Sequence, residues 1–119
     1  METQELIERA KAFMKAIAST APAHEISAFY APDVVQEEFP NRLLPNGASR
    51  DLAALRDAGE KGRKPMSGQT IEIVNAVGTG DCVVIEAIWT GTLAIGLGVL
   101  KPGDQIKARF AQVFEFRTG

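Results

Sequence analysis

Residues 69 to 77, QTIEIVNAV, and 82 to 93, CVVIEAIWTGTL, are two runs of alternating side chains joined by the four residues GTGD. No other feature constrains the chain as strongly. Alternation of this length means strands whose successive side chains point to opposite faces. A short Gly-containing link between them makes an antiparallel hairpin. QIKARFAQVFEF, residues 105 to 116, repeats the period and predicts one more strand. Its Ile106, Ala108, Phe110, Phe114 and Phe116 share one face, with Gln112 as the only amide among them. Such a sheet has an apolar side that must be covered.

The cover is written into residues 3 to 18, TQELIERAKAFMKAIA, where Leu6, Ile7, Ala10, Phe13, Met14 and Ile17 recur at helical spacing. Thr3 is the expected N-cap, Glu5 and Glu8 suit the positive end of the dipole, and Ala21-Pro22 ends the helix. A short second helix is expected over about residues 23 to 30, with Ile26, Phe29 and Tyr30 on one side. APD then turns the chain into a strand, FPNRLLPNGA reads as a loop, and Ser49 is the expected N-cap of a third helix with Leu52 and Leu55 buried. Helices followed by consecutive hairpins argue an α+β fold, a cone-shaped curved antiparallel sheet with three helices on its concave side. A cone has a mouth, and concave apolar cavities are where small molecules bind.

At 119 residues the chain is expected to be a single domain, 1–119, with a core that needs no staple. A net charge of −2 gives no electrostatic footprint for nucleic acid or an anionic membrane. The amphipathic amino terminus does not read as a signal peptide, and no apolar run approaches the roughly 20 residues that span a bilayer. Cys82 is alone, which points to a reducing compartment and a cytoplasmic location. One cysteine and one histidine, His24, in unrelated places make neither a metal site nor a triad, so no cofactor is expected. GLGVLKPG lacks the spacing of a phosphate loop. The apolar run LAIGLGVL, 93 to 100, reads either as a hairpin extension covered by a dimer mate or as a lid. With apolar residues on both sheet faces, it argues a homodimer through the sheet's outer face.

Two carboxylates interrupt the strand in FYAPDVVQEEFPN, residues 29 to 41, and alternation sends Glu37 and Glu38 to opposite faces. Face hydrophobicity favours Glu37 as the inward one, because Val35 and Phe39 share its side.

The order of elements, with FYAPDVV.EE.P, WTGT and ARFAQVFEFR.G, resembles the nuclear transport factor 2-like superfamily, and within it the SnoaL-like and ketosteroid isomerase-like branches. The resemblance covers essentially the whole chain. It implies the cone fold, but that superfamily hosts isomerases, cyclases, dehydratases, hydrolases and binding proteins. In the isomerases the general base is an aspartate late in the strand after a YA.D turn. An ungapped overlay puts Glu38 there, and a shift of one residue puts Phe39 there and leaves Glu37 inward. The isomerases complete an oxyanion hole with a tyrosine on the first helix and a protonated aspartic acid on a late strand. The counterparts here are Phe13 or Met14, which cannot donate, and Gln112, whose amide can. The isomerase tail continues past the final glycine into one more strand that borders the pocket; this sequence stops at Gly119, so either it is cut short there or that wall is absent.

The resemblance thus implies an enzyme that removes a proton next to a carbonyl of an apolar steroid- or polyketide-like ligand. Glu38 would be the base and Gln112 would hold the oxygen. Phe13, Met14, Tyr30, Phe39, Trp89, Phe110 and Phe114 would contact the substrate, Trp89 from the face of Val83, Ile85 and Ala87. Two other classes compete: a non-catalytic binding protein using the same cavity, and a dimeric interaction module whose core is filled by Phe13, Phe110, Phe114 and Trp89.

Overall fold

The computed structural model describes residues 2–19, 21–42, 44–63 and 66–117. The helical spacing near the amino terminus becomes α1, Thr3–Ala18, which buries Leu6, Ala10, Phe13 and Met14 along one stripe. α2, Ala23–Ser27, follows, and then a two-stranded hairpin of β1, Gln36–Glu38, and β2, Ala48–Arg50. After α3, Leu52–Arg63, the period changes and a three-stranded antiparallel sheet forms from β3, Met66–Thr79, β4, Cys82–Leu93, and β5, Gln105–Glu115. The α+β fold with a curved antiparallel sheet and three helices is the one expected from the order of periods.

The register of the sheet explains the core. Ile85 stands between Ala76 and Gln112, Ala87 between Ile73 and Phe110, and Val83 between Gly78 and Phe114. Val83, Ile85 and Ala87 are fully buried against Leu6, Ala10 and Met14 of α1. β3 and β4 slip register between Ile73 and Asn75, a bulge that leaves Val74 exposed. A bulge of this kind bends its strand, and that bend contributes to the sheet's curvature. At Gly78 an added Cβ would lie 2.7 Å from Thr3 Cγ2 and 3.3 Å from Ile7 Cδ1, so a side chain there would have to displace those of α1.

Three local expectations are corrected. Thr3 is not the N-cap of α1: the preceding residue, Glu2, holds that position without a side-chain cap. The Thr3 hydroxyl donates instead to the Gly80 carbonyl at 3.0 Å, tying the helix to the β3–β4 turn. Nor does Ser49 cap α3. Asp51 Oδ1 accepts from the Ala54 N–H at 2.9 Å, so the helix starts at Leu52. The residues released upstream extend and pair, which turns part of the expected loop into β2.

The run after Leu93 closes on itself: the Leu93 N–H donates to Asp104 O, and the Leu97 and Leu100 backbones exchange bonds of 3.0 and 2.9 Å. It forms a small tongue whose Ile95, Leu97 and Val99 are exposed. Among the described residues no helix is long and apolar enough to cross a membrane.

Candidate functional site

The hairpin registers Gln36 with Arg50, Glu37 with Ser49 and Glu38 with Ala48. Alternation therefore gathers Gln36, Glu38, Ala48 and Arg50 on one face, all half-buried, and leaves Glu37 and Ser49 exposed on the other. Val35 and Phe39 flank Glu37 on that outer side at 63% and 80% exposure. The hairpin thus reverses the usual order, with polar groups turned in and apolar ones out. Face hydrophobicity favours Glu37 as the inward carboxylate, but the half-buried one is Glu38.

Glu38 is held at both oxygens. Arg50 Nη1 donates to its Oε1 at 3.1 Å and also to Gln36 Oε1 at 3.0 Å, and Asn41 Nδ2 donates to its Oε2 at 2.9 Å. Side-chain exposure is 41% for Glu38 and 21% for Arg50, so the ion pair is partly withdrawn from solvent. Asn41 is fixed in turn by the Leu44 N–H, which donates to its Oδ1 at 3.0 Å. Gly47 makes the turn possible. Its φ is +68°, and a Cβ there would collide with the Glu38 carbonyl oxygen. A carboxylate has about four lone-pair positions, so Glu38 keeps acceptor capacity beyond these two bonds.

The other expected residues divide into three groups. Phe13 and Met14 belong to the core: Met14 packs on β4, and Phe13 sits edge-on to Phe29, Tyr30 and Phe114 at 5.6, 5.5 and 5.7 Å. Phe110 and Phe114 pack against the same core from β5. Burial pushes the Tyr30 phenol above its ordinary pKa. Trp89 and Gln112 are half-buried on the sheet's inner face. Trp89 Nε1 donates to Gln69 Oε1 at 2.9 Å, and Gln69 Nε2 donates to the Ile17 carbonyl at 2.7 Å near the end of α1. Gln112 makes no side-chain hydrogen bond among the described residues. Phe39 stands apart, on the opposite face of the hairpin from Glu38 and largely in solvent. Strand alternation turns it away from the Glu38 carboxylate.

Sequence reasoning passed over Arg50, Gln36 and Gln69. A cap at Ser49 puts Arg50 in the helix, whereas the cap at Asp51 leaves it in β2. A signal was available: an Ala-Ser-Arg stretch just after a Pro-Asn-Gly turn, facing a polar strand 12 residues earlier in the case of Arg50 and Glu38.

A family model described as a SnoaL-like domain matches residues 10–119. No curated protein matches the chain. Among solved structures it is similar to AclR, a candidate hydroxylase from Streptomyces galilaeus, with TM-score 0.81 and 18% identity over 99% of this chain and 74% of that one. It is also similar to a candidate polyketide cyclase from Acidithiobacillus ferrooxidans, with TM-score 0.73 and 26% identity over 98% of this chain and 83% of that one. A third is an M. tuberculosis LEH-like epoxide hydrolase, with TM-score 0.75 and 17% identity over 98% and 77%. The fold is therefore that of the nuclear transport factor 2-like superfamily.

Proposed function

We propose that this chain, which belongs to the SnoaL-like domain family, is a small-molecule enzyme that abstracts a proton next to a carbonyl of an apolar, steroid- or polyketide-like ligand. The observation that carries this reading is Glu38: it is the half-buried member of the glutamate pair, clamped at both oxygens by Arg50 and Asn41. A base is useful only when its lone pair is aimed, and two fixed donors on a short strand aim it. Gln112 adds an amide donor, unengaged among the described residues, on an otherwise apolar strand face, suited to a ligand oxygen. The family and the candidate polyketide cyclase among its structural relatives support the same class of chemistry.

The test is deuterium exchange at the carbon next to the carbonyl, followed by NMR in D2O with a panel of steroid and polyketide-like ketones. The wild type should accelerate exchange, and Glu38→Gln should lower that rate by about 100- to 10,000-fold while Glu37→Gln leaves it intact. No acceleration with any ligand would refute the reading. A second reading, a binding protein without catalysis, is favoured by one observation: α1 presents Phe13 and Met14, neither of them a donor, where the isomerases carry a tyrosine. Saturable ligand-dependent change in Trp89 fluorescence without exchange would select it.

The same reading includes a homodimer through the outer sheet face. There Val77, Val84 and Val113 stand in one row across the three strands, with Val77 and Val113 exposed. Sedimentation at micromolar concentration should give a two-fold species that Val113→Lys weakens, and a clean monomer would contradict it.

A further inference from the structure

Taking a proton from the carbon beside a carbonyl moves an electron pair onto the carbonyl oxygen, and a site that does so needs a donor or cation at that oxygen. In this chain α1 presents Phe13 and Met14, neither of which donates. Gln112 has no hydrogen bond to the Glu38 cluster among the described residues. The strongest donor beside the carboxylate is Arg50.

A guanidinium has five N–H donors in a rigid fork. Arg50 spends only Nη1, on Gln36 and Glu38; Nε and Nη2 donate to nothing among the described residues. Those nitrogens are not orphaned in the interior, because no fully buried side-chain nitrogen or oxygen among the described residues lacks a partner. The side chain as a whole is nonetheless only 21% exposed. The result is a fixed cation with unspent, reachable donors in direct contact with the proposed base. A structural salt bridge on a short surface hairpin has no need of such withdrawal, since exposed pairs contribute little.

We infer that Arg50 is a catalytic residue: its free Nε and Nη2 hold the enolate oxygens of the ligand while Glu38 carries the proton. Because those two N–H groups are parallel, they suit a planar anion with two oxygens on one side, which names the substrate class as a 1,3-dicarbonyl compound. In the step, the C–H bond breaks, its proton bonds to a Glu38 oxygen, and the electron pair delocalises over the two oxygens facing Arg50. Return of the proton from Glu38 to one of those oxygens completes a keto–enol isomerisation with no other reactant. This inference rests on the reading of Glu38 as base.

The experiment separates the two. Calorimetric titration at mildly alkaline pH would compare Glu38→Gln with Glu38→Gln/Arg50→Met, using the enolate of 4,4,4-trifluoro-1-phenylbutane-1,3-dione, an open chain whose two oxygens can lie on one side, and 4,4,4-trifluoro-1-phenylbutan-1-one as an uncharged ketone of similar shape. Removing the carboxylate from both proteins ensures that loss of the ion pair does not contribute. The double variant should bind the enolate roughly 10- to 100-fold more weakly, the range of a charge-assisted hydrogen bond, with the ketone unchanged. Arg50→Lys, which keeps the charge but not the fork, serves if the methionine variant melts early, and should lose part of that affinity. Equal enolate affinity with and without Arg50, or parallel loss for both ligands, would overturn the assignment. If the wild type exchanges protons yet its enolate affinity ignores Arg50, only this inference fails. If the wild type neither exchanges protons nor binds either probe, the reading of Glu38 fails and this inference with it.

Discussion

The two sheets of this molecule obey opposite rules. In β3–β4–β5 the inner face is Val83, Ile85 and Ala87, fully buried, and the outer face carries the Glu86–Arg109 ion pair, whose Nη2–Oε2 distance is 2.7 Å. In β1–β2 the inner face is Gln36, Glu38 and Arg50, and the outer face is flanked by exposed Val35 and Phe39. The first arrangement is what hydrophobic burial selects. The second gains little from burial, and a two-stranded hairpin of three residues a side is marginal by itself. It persists because hydrogen bonds, a capped helix and a glycine turn hold it. Local conflict with the folding rules, in an otherwise consistent chain, is where function is expected. One sheet holds the domain together; the other holds a carboxylate in place.

The sharpest way to break the comparison is to damage each sheet in turn. Ile85→Ala opens a cavity at the fully buried centre of the large sheet and should cost about 2–5 kcal/mol. Phe39→Ser removes a larger side chain from the hairpin but should change stability by less than about 0.5 kcal/mol, as surface substitutions usually do. Urea unfolding of the two variants measures both. A Phe39 effect as large as that of Ile85 would mean that something covers the hairpin's outer face.

A smaller effect should come from Gly47→Ala. The substitution forces a left-handed residue, about 1–2 kcal/mol by itself, and places a Cβ against the Glu38 carbonyl. On the proposed reading of Glu38 as base, it should reduce exchange activity along with stability, because the turn sets where that carboxylate sits. Lost stability with full exchange activity would show that the carboxylate's position does not matter.

Legibility follows the same division. α1 and the three long strands were readable because burial imposes a period on many consecutive residues, as in Leu6 to Met14 and Cys82 to Leu93. The hairpin has three residues per strand and no apolar period, so β2 was invisible and Arg50 was assigned to a helix. Glu38 and Gln112 came from resemblance, not from pattern. Phe39 lies on the exposed face for a physical reason: apolar character argues inward only where a face is being buried for stability, and here it is not.

The smallest expected effect tests how the two sheets are joined. Arg117, just past β5, pairs with Asp33, in the segment between α2 and β1. The hydrogen bond from Arg117 is the chief cause that holds the Asp33 carboxyl below its ordinary value. The sign follows from linkage. A carboxyl depressed in the folded state binds fewer protons than in the unfolded one, so its contribution is present above the unfolded value near 3.9. That contribution is lost as pH falls through the lower folded value. Both groups are mostly exposed, so the contribution should be slight and should shrink further with salt. Asp33→Asn compared with wild type in acid unfolding should show a small difference at neutral pH that disappears at low pH. A difference that survives below the folded value would mean that Asp33 acts through packing or its backbone, not its charge. No difference at any pH would mean that the Arg117–Asp33 pair contributes nothing to joining the two sheets.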